Sequence, residues 1–123
     1  MRQAATTLDS EMSPNEIAFL TSLIRKHAFT GKHLEIGTAA GGTLCLMIKA
    51  ASKTQPLFVA VDPMTYFQDQ ANVVRKNLKN NGIDPASVDI RETRSNLALR
   101  AAERKGEKFD LIFFTGSPRV GKL

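Results

Sequence analysis

Short apolar segments alternate with segments of helical periodicity along this chain, and this alternation restricts the fold more than any other feature. The predicted strands cover residues 33–36, 57–61, 87–91 and 108–114, and the predicted helices cover 14–27, 43–51, 66–80 and 96–105. Helical crossovers between such short strands require a parallel sheet with right-handed connections. The sequence therefore predicts an α/β, doubly wound, Rossmann-like fold with four strands in the order 3-2-1-4 and flanking helices.

Local signals mark where the predicted helices begin and end. Ser13-Pro14-Asn15-Glu16 predicts a helix start, with Ser as the N-cap, Pro in the first turn and Glu three residues after the Ser. Gly31 is expected to stop that helix, and Asn81-Gly82 and Gly106 are expected to end two later helices. These signals separate the helices from the strands that follow them.

The chain has 123 residues, of which 42% are hydrophobic and 24% charged, so it can form one domain with a modest core. We expect residues 1–12 to be a flexible polar lead-in and residues 13–123 to form the single domain. No apolar run reaches the roughly 20 residues of a membrane helix, and the first residues lack the apolar region of a secretory signal. The sequence therefore predicts no membrane partner.

The formal net charge of +5 mildly favours anionic partners. The basic residues form no dense block and are not interleaved with aromatic residues, so nucleic acid is an alternative partner that the sequence does not favour. The single cysteine, Cys45, lies in an apolar stretch, which is typical of a small buried hydrophobic residue in a reducing compartment. We therefore expect a cytoplasmic protein.

A loop of small residues, Gly37-Thr38-Ala39-Ala40-Gly41-Gly42, directly follows the first predicted strand. Such residues let a ligand lie against the backbone, and the following helix directs N–H groups and a partial positive charge towards it. A pyrophosphate would fit, but Glu35 under the loop would repel it and attract an ammonium group or a sulfonium-bearing amino acid. The spacing also departs from Gly-x-Gly-x-x-Gly. A nicotinamide-binding protein remains a competing interpretation.

Asp62 ends the second predicted strand, 25 positions after Gly37. An acidic residue there can accept hydrogen bonds from both ribose hydroxyls of an adenosine. Two simpler alternatives stay open: Asp62 as a turn residue before Pro63, and Glu35 as a strand-end charge with local backbone partners.

Several of these segments together resemble one family. Glu35-Ile36-Gly37-Thr38, Gly41 and Thr43 match the first motif of class I S-adenosylmethionine-dependent methyltransferases, and are most similar to small-molecule O-methyltransferases. The second and fourth predicted strands and a helix end are also similar to the family's segments, namely Val59-Ala60-Val61-Asp62-Pro63, Phe109-Asp110-Leu111-Ile112-Phe113 and Leu78-Lys79-Asn80-Asn81-Gly82-Ile83. The resemblance extends over residues 14–117 and implies S-adenosyl-L-methionine as the cofactor.

The resemblance also implies a role for individual residues. Glu35 would hold the loop and the amino group of the cofactor, and Asp62 would bind its ribose. Met64 would lie on the adenine face, with a plain core role as the alternative, and Ser95 would approach the adenine edge or act as a helix N-cap. The cofactor-binding set implied in this way is Glu35, Gly37, Thr38, Ala39, Gly41, Thr43, Asp62, Met64, Arg94, Ser95 and Thr115.

The sequence departs from the family after the fourth predicted strand. Relatives usually carry Asp-Gly-x-His or Asp-x-Asp where this chain has Thr115-Gly116-Ser117-Pro118, so no metal site and no catalytic base are predicted. The family fold has seven strands and this chain has four, which predicts a truncated fold with an exposed apolar edge on the last strand. That edge favours homo-oligomerisation, or marks a fragment.

The expected function is methyl transfer from S-adenosyl-L-methionine to an oxygen or nitrogen nucleophile, with a small-molecule hydroxyl as the expected acceptor. The alternative is a non-catalytic or truncated module that binds the cofactor and acts through oligomerisation. His27, late in the first helix, and His33, at the amino end of the first strand, are poorly placed to act as a base.

Overall fold

The computed structural model describes residues 12–114 of the chain. Residues 1–11 of the predicted lead-in and residues 115–123 lie outside this range. The elements follow in the order α1 (Pro14–His27), β1 (His33–Ile36), α2 (Gly42–Ala50), β2 (Phe58–Val61), α3 (Gln70–Asn80), a 3₁₀ turn (Pro85–Ser87), β3 (Val88–Arg91), α4 (Ser95–Lys105) and β4 (Leu111–Phe114).

The four strands form one parallel sheet in the order β3-β2-β1-β4, which confirms the predicted fold class. In the register of the sheet, His33 lies opposite Phe58 of β2 and Leu111 of β4. Every residue of β1 and β2 is buried because each of these strands has a neighbour on both sides and helices on the faces.

Helices cover the two faces of the sheet unequally. On one face, α1, α2 and α3 pack on β2 through a core that includes Leu20, Leu44, Met47, Val74 and Leu78. On the other face, the core that includes Ala98 of α4 contains four strand residues, Leu34, Ile36, Val59 and Val61. None of the helices in the described range is both long and apolar enough to cross a membrane.

Both ends of α1 are as predicted, and only the residue that stops the helix differs from the prediction. Ser13 and Glu16 form a reciprocal capping box: Glu16 Oε1 accepts from the Ser13 N–H at 2.8 Å, and Ser13 Oγ accepts from the Glu16 N–H at 3.2 Å. The helix ends at His27, where Ala28 adopts a left-handed conformation, before Gly31 is reached. Gly31 instead donates its N–H to Asp110 Oδ2 at 2.8 Å, and a Cβ there would lie 2.6 Å from that carboxylate.

The third helix begins four residues later than predicted, at Gln70 instead of Tyr66. The intervening chain is held in another conformation: Met64 and Asp69 have positive φ angles of 60° and 62°, and the Tyr66 N–H donates to Gln70 Oε1 at 2.9 Å. This local hydrogen bond and the two positive φ angles oppose helix formation before Gln70.

Glu107, just after α4, ties three segments together. Its side chain is only 7% exposed and accepts from Arg91 Nη1 at 2.8 Å and Nη2 at 2.7 Å, and from Lys32 Nζ at 2.9 Å. The bonds from Arg91, then that from Lys32, lower the pKa of Glu107 to about 2. The carboxylate therefore remains charged at neutral pH and links β3 to the segment that precedes β1.

Candidate functional site

The glycine loop, which we define as residues 37–41, leaves β1 at the carboxyl edge of the sheet and leads into α2. The Gly37 N–H donates to Val61 O at 2.9 Å, and the Thr38 N–H donates to Asp62 Oδ2 at 2.8 Å. The structure thus brings together the end of β1, the glycine loop and Asp62 at the end of β2. This is the edge at which parallel α/β sheets bind ligands.

The glycine loop needs unusual backbone angles. Gly37, Ala39 and Gly41 have φ values of 89°, 49° and 94°. Gly41 occupies the N-cap of α2, and a Cβ there would also lie 3.4 Å from Val74 Cγ1. A side chain at position 41 would therefore combine a strained backbone with a close contact to α3.

Asp62 is largely buried and uses both carboxylate oxygens within the protein. Oδ2 accepts from the Thr38 N–H, and Oδ1 accepts from the Met64 N–H at 2.7 Å, so Asp62 does shape the turn that follows β2. A carboxylate can accept about four hydrogen bonds. Capacity for a ligand remains after these two, and ribose binding by Asp62 stays a prediction.

Glu35 is fully buried under the glycine loop. Burial raises the pKa of Glu35 to about 8, a rise that the nearby Thr38 hydroxyl opposes and Asp62 reinforces. A pKa raised to about 8 favours the neutral, protonated form of Glu35 at pH 7, whereas the sequence interpretation assumed a charged carboxylate. Within the described chain, neither Glu35 oxygen makes a hydrogen bond of good geometry, and neither does Thr38 Oγ1.

The other predicted ligand residues in the described range lie on α2, in the turn after β2 and at the start of α4. Thr43 is buried in the first turn of α2, and Met64 is partly buried and packs against the core beneath α1–α3. Ser95 is the first residue of α4, and Arg94 occupies the N-cap without a side-chain bond, so the N-cap alternative for Ser95 is wrong. Thr115 lies outside the described residues.

Two residues near the glycine loop were missed by the sequence interpretation. Gln70 Nε2 donates to Ala39 O at 2.9 Å, and Asn77 Nδ2 donates to Ala40 O at 2.8 Å. The sequence did contain a signal, because both amides lie at helical spacing with Val74 and Leu78, on the buried face of α3. Polar side chains on such a face require buried partners.

The candidate bases and nucleophiles have structural roles. His33 is buried, with Nδ1 2.7 Å from Gly31 O, and His27 stacks on Phe29 with ring centroids 5.3 Å apart. Burial, which outweighs the lowering effect of Lys49, raises the pKa of the Cys45 thiol to about 11. Across residues 12–114, no three His, Cys, Asp or Glu side chains are grouped so as to hold a metal ion.

No protein-family model and no curated protein sequence matches the chain. Solved structures do match it. An O-methyltransferase from Bacillus cereus in complex with SAH (S-adenosylhomocysteine) has 24% identity and a TM-score of 0.69, over 89% of this chain and 48% of that chain. A second match is the O-methyltransferase TomG from Streptomyces achromogenes, which is involved in tomaymycin synthesis and is in complex with SAM (S-adenosylmethionine). It has 22% identity and a TM-score of 0.69, over 85% of this chain and 45% of that chain.

Cofactor-bound Rv0187 from MTB has 26% identity and a TM-score of 0.64, over 90% of this chain and 47% of that chain. The chain therefore spans about half the length of the structures that it matches.

Proposed function

Because this chain has the Rossmann-like fold of S-adenosylmethionine-dependent O-methyltransferases, we propose that it binds SAM and takes part in methyl transfer. The observation that carries the proposal is the contact between Asp62 and the Thr38 N–H, which joins the glycine loop to the end of β2. That contact supports the proposal, because a carboxylate suited to a ribose then lies beside a loop with little side chain to exclude the rest of the nucleoside.

The residues present fit the cofactor. The two unpartnered oxygens of Glu35 and the Thr38 hydroxyl lie beneath the glycine loop, where the amino group of a bound methionine moiety would be received. We assign to the same methionine end of the cofactor the residues Gly37, Thr38, Ala39, Gly41 and Thr43. Met64, Arg94 and Ser95 are assigned to the adenosine side, and Thr115, outside the described residues, stays a predicted cofactor-binding residue without an assigned side.

When bound, SAM would supply an activated methyl group to an acceptor oxygen or nitrogen, leaving SAH as the product while the acceptor's proton passes to solvent. The described residues contribute binding and orientation, which together can lower a barrier by several kcal/mol. We propose a small-molecule hydroxyl as the acceptor and assign no catalytic base. The alternative is a module that binds the cofactor without catalysis.

Titration calorimetry with SAM, SAH and NAD tests this function. We expect SAH to bind and NAD not to bind. Asp62→Asn should weaken SAH binding by about 10-fold or more, since a charge-assisted hydrogen bond contributes about 1.5–3 kcal/mol. Asp69→Asn is the matched control, because Asp69 is exposed and Asn tolerates its positive φ. Preferential NAD binding would instead establish a nicotinamide-binding protein.

We further propose that β4 pairs with a second copy of this chain. Ile112 and Phe114 share the α4 face of the sheet with Leu34 and Ile36 but are 57% and 58% exposed. Their exposure leaves an apolar strand edge of the kind that favours pairing. Light scattering should show a dimer that Ile112→Lys dissociates and that Leu97→Lys, an exposed change on α4, preserves. A monomer at high concentration would refute the pairing.

For its location we propose a reducing compartment such as the cytoplasm. The support is Cys45, a buried free thiol in the core beneath α1–α3. Fractionation of cells that express the full chain would test this proposal, and recovery from an oxidising compartment would contradict it.

A further inference from the structure

We propose that Gln70 and Asn77 of α3 are positioning residues that fix the backbone of the glycine loop in its ligand-accepting orientation. This proposal rests on the proposed function, since the ligand concerned is the nucleoside cofactor. It assigns a role in binding to a helix whose sequence shows no ligand motif.

The two amides hold consecutive carbonyl groups of the glycine loop. Gln70 is 1% exposed and Asn77 is 0% exposed. Gln70 Nε2 donates to Ala39 O and Asn77 Nδ2 donates to Ala40 O, at 2.9 and 2.8 Å. Both bonds are partly buried and neutral, and each satisfies a carbonyl that would otherwise lack a partner on that side.

Gln70 is also fixed from its other end. Its Oε1 accepts from the Tyr66 N–H at 2.9 Å, so one amide group joins the segment after β2 to the segment after β1. These two segments carry Asp62 and the glycine loop, the two halves of the candidate site. The Gln70 amide therefore sets the distance between them as well as the orientation of the Ala39 carbonyl.

Peptide geometry converts the carbonyl bonds into an orientation of N–H groups. In a trans peptide the C=O of one residue and the N–H of the next point in opposite directions. The Ala39 carbonyl points to α3, so the Ala40 N–H points away from α3, and no residue between 12 and 114 accepts it. We assign this N–H to the ligand.

A charge-matched pair of variants tests the proposal. Gln70→Glu retains the acceptor for Tyr66 but replaces the donor to Ala39 with a carboxylate oxygen, while Gln68→Glu adds the same charge at an exposed position. Burial can raise the pKa of the new carboxyl as it raises that of Glu35, so the comparison is made at pH 9, where we expect the change at 70 to weaken SAH binding at least 10-fold relative to the change at 68. At pH 5 the new carboxyl becomes protonated and donates again. The ratio of the SAH affinities of the two variants should then approach one.

The pH dependence separates positioning from a purely structural role. Glu35 beside the loop is present in both variants, so measuring both at each pH controls for its own titration. A ratio of SAH affinities near one at pH 9, or a loss that is the same at both pH values, would overturn the proposal. If Gln70→Glu does not fold, Asn77→Asp with exposed Asn80→Asp as its control gives the same comparison.

Amide hydrogen exchange in the ligand-free protein distinguishes this proposal from the proposed function. We expect faster exchange over residues 39–42 in Gln70→Glu than in Gln68→Glu, whether or not SAH binds. If the wild-type protein does not bind SAH but the two variants differ in exchange in this way, the proposed ligand is wrong and the loop contact is real. Equal exchange in the two variants would refute the positioning role.

Discussion

Replacing Glu35 with Gln should stabilise the ligand-free protein at neutral pH. Burial raises the pKa of Glu35 to about 8 from an ordinary value of 4.5. Between these pH values the unfolded chain releases the proton and the folded chain retains it. Stability is therefore unaffected below pH 4.5, falls as the pH rises, and stops falling above about 8.

The size of the effect follows from the same two values. Each pH unit across this window costs about 1.4 kcal/mol, so the full penalty at pH 7 is about 3 kcal/mol. Relaxation around the buried group reduces this, and we expect Glu35→Gln to gain about 1–3 kcal/mol at pH 7. Well below pH 4.5 the gain should vanish, because both states then carry a neutral side chain.

Urea denaturation of wild type and Glu35→Gln at pH 5, 6, 7 and 8 measures this difference. Glu103→Gln, an exposed change on α4, is the control for the loss of a carboxylate and should follow the wild-type pH dependence. If the free energies of unfolding of wild type and Glu35→Gln change in parallel with pH, the reasoning is refuted. Glu35 would then titrate alike in the folded and unfolded states.

Two substitutions and one labelling experiment test other parts of the structure. Glu107→Gln should cost about 1–2 kcal/mol at pH 7, a value discounted for solvent screening, and the difference should disappear as the pH falls from 4.5 towards 2, as chemical denaturation would show. Gly41→Ala should destabilise by about 1–2 kcal/mol in the same assay, because of its φ of 94°; an unchanged midpoint would contradict this. The Cys45 thiol should resist alkylation at pH 8 until the protein unfolds, as mass spectrometry can measure, and rapid labelling of the native protein would contradict its burial.

The order of elements could be predicted because each one is encoded locally. The strand His33–Ile36 was located to the residue, as was the start of α1 with its Ser13 cap. The parallel arrangement then followed from connection rules, which placed Asp62 beside the glycine loop without any contact being known. The late start of α3 could not be predicted, because it depends on the bond between Tyr66 and Gln70 in the folded turn.

The candidate site was predictable in position but not in electrostatics. Glu35 was expected to carry charge because its neighbours in the sequence do not show how completely it is covered. Burial arises from segments distant in the chain, and it decides which protonation state is favoured. Gln70 and Asn77 were missed because their amides pair with loop carbonyls more than 30 residues away, at separations of 31 and 37.

The contacts of Asp110 link the amino ends of two neighbouring strands, β1 and β4. Its carboxylate bonds the Gly31 N–H and its own N–H donates to Lys32 O at 2.8 Å, while Lys32 also bonds Glu107. The entrances to β1 and β4 are thus fastened to one another on the side opposite the glycine loop. We therefore expect adjustment to the proposed nucleoside to occur at the carboxyl ends of the strands, away from these bonds.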